Sequence, residues 1–140
     1  MRYWYLPLNI KYFDFVKNFH DSDTIDVRQY ANYKYAVGDI VYIYSGEPFS
    51  QFLFLTEVVK IDIPFEEAQL CNELRPAPQK STINNWMRLK VLKSVPPDTA
   101  SLYGSLFTAD GFKIAHFPHL INKPEFLVYL NQEFDKYNCE

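Results

Sequence analysis

Tyr44 and Ser45 close the run Val37-Gly38-Asp39-Ile40-Val41-Tyr42-Ile43-Tyr44-Ser45, which sets an aromatic ring and a hydroxyl side by side at the exit of a strand. A planar heterocycle requires that chemistry: an apolar surface for its faces and a few polar groups for its edge. Neighbours on a strand point to opposite sides, so both can serve one ligand only where the strand ends or bulges. Gly38 supplies the backbone freedom for the turn that leads in, and Asp39 can hydrogen-bond the main chain there.

A second grouping runs from Lys80 to Lys93, where Lys80, Arg88, Lys90 and Lys93 surround Trp86 with no acidic residue between them. Cations beside a ring suit a sugar-phosphate backbone; the plainer reading is a solvated strand face. His116 and His119 bracket Phe117-Pro118. Two imidazoles at that spacing would ligate a metal from a helix, but Pro118 opposes a helix and no third ligand is near. A hydrogen-bonding or phosphate-facing role is the expectation, with no metal and no cofactor.

For catalysis the chain offers little. It has no GxSxG elbow, no phosphate loop, no HExxH and no cysteine beside a histidine. Asp21, Asp23 and Asp26 cluster in one segment, as solvated loop acids and caps commonly do. The expectation is a protein that is not an enzyme.

The formal net charge of -3 argues against blanket phosphate neutralisation, although a pocket that reads one base tolerates it. Aromatic residues make up 18% of the chain, more than a minimal core needs, so some rings are expected at a surface or pocket. Cys71 and Cys139 have neither metal-site nor disulfide-framework spacing. The apolar runs stop short of a membrane span and no signal peptide precedes the first strand, so the expectation is cytoplasmic. With 140 residues and no long linker, one domain over 1–140 is expected.

The elements that must hold these groups follow from periodicity. Tyr3 to Leu8 reads as a strand limited by Pro7, and Tyr12, Phe15, Val16 and Phe19 as one face of a short helix. Thr24 to Tyr35 reads as a loop. Phe52 to Ile63 is a long central strand, apolar on both faces in its first half. Trp86 to Leu92 alternates, with Met87, Leu89 and Val91 packing inward and Trp86, Arg88 and Lys90 outward. Asn122 is placed to cap a final helix with Pro124 and Glu125 in its first turn and Phe126, Leu127, Leu130 and Phe134 on its apolar face.

Tyr3-Trp4-Tyr5-Leu6, Val27-Arg28-Gln29-Tyr30, Val37-Gly38-Asp39 through Tyr44-Ser45, and Thr56-Glu57-Val58-Val59 occur in the order of the EVE domain family, which the first half of the chain resembles. In the second half only the strand Trp86 to Val91 looks similar. The resemblance implies an α+β fold, a PUA-like twisted β-barrel with a few peripheral helices, related to YTH domains. It also implies a pocket for a methylated or hydroxymethylated base, formed by Trp4, Asn9, Ile25, Arg28, Tyr44 and Ser45. The implied partners are DNA or RNA carrying such a base and a nuclease subunit of a restriction-type defence system, with no membrane. Where the family places a tryptophan before the Val-Arg pair, this chain has Thr24-Ile25-Asp26, which removes a stacking surface worth about 1 to 3 kcal/mol per base. Pro7 stands where the family often has lysine.

Other readings stay open. Trp4 and Tyr44 also suit core rings with satisfied polar tips, and Arg28 suits a surface ion pair. The exposed rings Tyr30, Tyr33 and Tyr35 would serve a protein-interaction module without nucleic-acid binding. Asp23 and Asp26 would serve a nucleotide-directed hydrolase.

Overall fold

A computed structural model describes residues 1–8, 22–29, 34–46, 49–64, 67, 85–96, 99, 102 and 119–138. The expected helix over Tyr12 to Phe19 and most of the segment between Pro97 and Pro118 lie outside these residues. So do Asn9, Tyr30, Tyr33, Lys80 and His116.

The strands are β1 (Tyr3–Leu8), β2 (Thr24–Gln29), β3 (Ile40–Ser45), β4 (Gln51–Ile63), β5 (Asn85–Ser94) and β6 (His119–Leu120), followed by helix α1 (Pro124–Asn138). They form one mixed sheet in the order β2-β5-β4-β3-β1-β6. It curls into a half-barrel, the α+β architecture implied by the resemblance. Among the described residues β2 and β6 are the two edges of the sheet and no ladder joins them.

β1 and β3 pair in parallel and the other ladders are antiparallel. Tyr3 to Leu8 stays in register with Ile40 to Ser45, and Pro7 lies opposite Tyr44 without ending the strand. β3 is buried on both faces, which its unbroken β-branched and aromatic run anticipates. β4 is central and buried through Thr56, also as expected, and then alternates. Thr56 Oγ1 donates to the Val41 carbonyl at 2.8 Å, which satisfies its hydroxyl inside the core.

The segment expected as a loop after Thr24 is instead strand β2, paired with β5 from Thr24↔Lys90 to Gln29↔Asn85. Ile25 and Val27 enter the core while Asp26 and Arg28 take the other face. The alternation is present in the sequence, but Asp26 is an unusual strand residue. It is tolerated because Arg88 lies opposite and neutralises it.

α1 packs against the sheet through Phe126, Leu130 and Phe134, as its apolar spacing predicts. Phe126 meets Phe52 at 6.1 Å between centroids, and Phe134 meets Tyr42 at 5.7 Å. The N-terminal cap is Lys123 rather than Asn122: its carbonyl accepts from Phe126 and Leu127, which puts Pro124 at the first helical position. No helix among the described residues is long and apolar enough to cross a membrane.

Candidate nucleic-acid interface

The Gly-Asp turn is a clasp between chain start and sheet. Gly38 has φ +97°, which an L side chain rarely adopts. That conformation lets Gly38 N–H donate to Val58 O at 2.8 Å and Val58 N–H donate back to Asp39 O at 2.9 Å. The buried Asp39 carboxylate accepts from Arg2 N–H and Trp4 Nε1–H at 3.0 Å each, and from Ala36 N–H at 3.1 Å. Burial works against its charge, but these hydrogen bonds and the Arg2 guanidinium outweigh that and hold the carboxyl below its ordinary 3.8.

Trp4 is therefore a core ring with a satisfied N–H. It packs on Tyr35 at 4.6 Å, and Arg2 covers it at 5.0 Å. Tyr35, expected among exposed rings, is buried by this contact. Ile25 is also fully inside, and Ser45 is buried with its hydroxyl donating to Gly46 O at 3.3 Å. Of the base-contact candidates among the described residues, Tyr44 and Arg28 keep exposed surface.

Tyr44 pairs with Phe52 next to a bulge that leaves Leu53 of β4 as the extra residue, while Tyr44 and Ser45 stay in regular register with Pro7 and Leu8, so ring and hydroxyl point to opposite faces up to the end of β3. Its ring meets Phe52 edge-on at 5.2 Å. Burial raises its pKa, so the phenol stays protonated at neutral pH. Its hydroxyl has no hydrogen-bond partner among the described residues. By contrast, Tyr42 donates its hydroxyl to Asn131.

Arg28 does not lie beside Tyr44 in the ladders. It pairs through Trp86 with Ile63 at one end of β4, whereas Tyr44 pairs with Phe52 at the other. The Arg28 guanidinium lies over Trp86 at 5.9 Å. It makes no salt bridge among the described residues. Beside it, Gln29 Nε2 donates to Asp62 Oδ1 at 3.0 Å and Asp62 N–H donates to Gln29 Oε1 at 2.7 Å, pinning the end of β2.

The outward face of β5 departs from expectation at Trp86, which is buried at 6% exposure and is not an open platform. Two of the expected backbone cations are neutralised by acids distant in sequence. Arg88 is held by buried Asp26 through Nε at 2.8 Å and a second nitrogen at 3.1 Å, and Lys93 pairs with Asp135. Lys90 is exposed and makes no salt bridge among the described residues. His119 lies on β6 opposite Tyr5. Of the acids offered for hydrolysis, Asp26 is committed to Arg88, and no group of His, Cys, Asp and Glu among the described residues could hold a metal.

No family model and no curated protein matches the chain. Solved structures do match it over nearly their full length. Human THYN1, solved in complex with DNA containing 5-methylcytosine, aligns over 95% of this chain and 98% of its own, with TM-score 0.60 and 14% identity. A point mutant of ZmASCH from Zymomonas mobilis aligns over 94% and 96%, with TM-score 0.60 and 11% identity. Atu2648 from Agrobacterium tumefaciens aligns over 95% and 93%, with TM-score 0.55 and 11% identity. The fold is PUA-like.

Proposed function

We propose that the chain is an EVE-type nucleic-acid-binding module, one domain over 1–140, that reads a methylated or hydroxymethylated base at the exit of β1 and β3. The observation that carries this reading is Tyr44: a half-buried ring near the end of β3 whose protonated hydroxyl has no partner among the described residues. It offers a stacking face and an edge donor together. The likeness to the THYN1 barrel solved with methylcytosine DNA supports the same use of the fold. Ser45, opposite Leu8, backs the site, and Asn9 follows Leu8 in the chain. Trp4 and Ile25 belong to the core of the sheet that carries the site, and Arg28, at the other end of β4, is a contact to the flanking strand. Lys80, His116 and His119 remain candidates for the sugar-phosphate backbone. A nuclease subunit of a defence system is the partner class this reading implies.

Fluorescence anisotropy with single- and double-stranded oligonucleotides carrying one cytosine, 5-methylcytosine or 5-hydroxymethylcytosine tests it. The expected result is at least a tenfold preference for a modified base, reduced in Tyr44→Phe and abolished in Tyr44→Ala. Equal binding to all oligonucleotides overturns it.

A further inference from the structure

The outward face of β2, β5 and β4 carries a row of cations, three of which (Arg28, Lys60 and Lys90) make no salt bridge among the described residues. Arg28, Arg88, Lys90 and Lys60 share this face, because Lys60 lies opposite Arg88 and Lys90 opposite both Thr24 and Glu57. A bulge between Val58 and Lys60 shifts β4 so that Lys60 joins this row while Val58 stays in the core opposite Leu89. Asp26 is spent on Arg88, and Glu57 makes no salt bridge with Lys90. Lys60 and Lys90 are both exposed without a salt bridge among the described residues. They sit on a diagonal across the β4–β5 ladder, about 7 to 8 Å apart at the backbone. On a chain of net charge -3, such a row is a local departure that suits a polyanion.

We infer that Lys60 and Lys90 form a track for the sugar-phosphate backbone on the outer face of β4 and β5, with Arg28 continuing it at the end of β2. This inference rests on the nucleic-acid-binding reading above but assigns a separate surface, one that holds the strand without reading the base. Arg88 is a positioning residue there: bound to Asp26, it ties β2 to β5.

The test measures affinity against salt concentration for the wild type, Lys60→Ala/Lys90→Ala and Lys60→Glu/Lys90→Glu, using the modified and unmodified oligonucleotides. Lys34→Asn, which removes an exposed cation elsewhere, is the control. Each lost phosphate contact lowers the slope of log affinity against log salt by about 0.9 on duplex and about 0.7 on single strands. The double alanine variant should therefore flatten the slope by about 1.4 to 1.8 and weaken modified and unmodified oligonucleotides equally, leaving their ratio intact. The glutamate variant should bind more weakly still. A wild-type slope and affinity in both variants, with base preference present, overturns the track and leaves the base reading standing. Lysine-dependent binding without base preference supports the track and overturns the base reading. No oligonucleotide binding by the wild type overturns both.

Discussion

Trp4 and Asp39, thirty-five residues apart in sequence, are joined by an indole hydrogen bond of 3.0 Å inside the protein. The bond turns the Gly-Asp motif from a local turn into the point where β1 and β3 are fixed in parallel register. It also explains why Trp4 belongs to the fold and not to an open ligand surface.

Stability should depend on acid through Asp39. Its folded pKa lies below the ordinary 3.8, so its contribution is fully present above about pH 4 and is lost as pH falls through the depressed value. Urea denaturation from pH 7 down to about 2.5 should show this loss in the wild type and a flatter profile in Asp39→Asn. Asp39→Ala leaves Arg2 N–H, Ala36 N–H and the Trp4 indole without their acceptor and should cost about 3 kcal/mol at neutral pH.

Gly38 separates backbone strain from crowding. A Cβ built there meets nothing within 4 Å, so any cost of substitution comes from its φ of +97°. Gly38→Ala should cost about 1 to 2 kcal/mol, Gly38→Asn less and Gly38→Val most. Equal costs for Ala and Val in chemical denaturation would place the penalty elsewhere.

Burial pattern made β3, β4, β5 and α1 legible, because Ile40 to Tyr44 is uniformly apolar or aromatic and Met87, Leu89 and Leu130 recur at strand and helix spacing. β2 was hidden by Asp26 and Arg28, whose compatibility with a strand depends on residues sixty positions away. The same distance hid the neutralisation of Arg88. Trp86 lies on the outward parity its alternation indicates, yet it is buried, since a local period reports which way a side chain points and not what covers it. In the candidate site, the Tyr44 ring was legible, whereas the burial of Ser45 and Ile25 follows from register, which no single strand reveals.

Arg88 should prove structural. Its side chain is 21% exposed and that of Asp26 is 0%, so Arg88→Ala strands a buried carboxylate and should cost about 3 kcal/mol or more. Replacing both with apolar residues of similar volume should recover much of that loss. The exposed Lys93–Asp135 pair should contribute little, and Lys93→Ala should change stability by less than about 1 kcal/mol. Thermal melts of the single and double variants give this comparison directly.

Arg28 and Ser45 should behave differently when truncated, although both fall in the motifs that carry the family resemblance. Arg28 is partly exposed, and its one described contact is with Trp86, so Arg28→Ala should cost only about 0.5 to 1 kcal/mol of stability. Ser45 is fully buried, and Ser45→Ala leaves Gly46 O without its hydroxyl donor, at a cost of about 1 kcal/mol. Loss of oligonucleotide affinity in Arg28→Ala therefore reports on contact, because its fold is nearly untouched. The same loss in Ser45→Ala must first be corrected for the unfolded fraction measured by urea denaturation. If Arg28→Ala unfolds the domain instead, its stacking on Trp86 is part of the core and the cationic track is confined to Lys60 and Lys90.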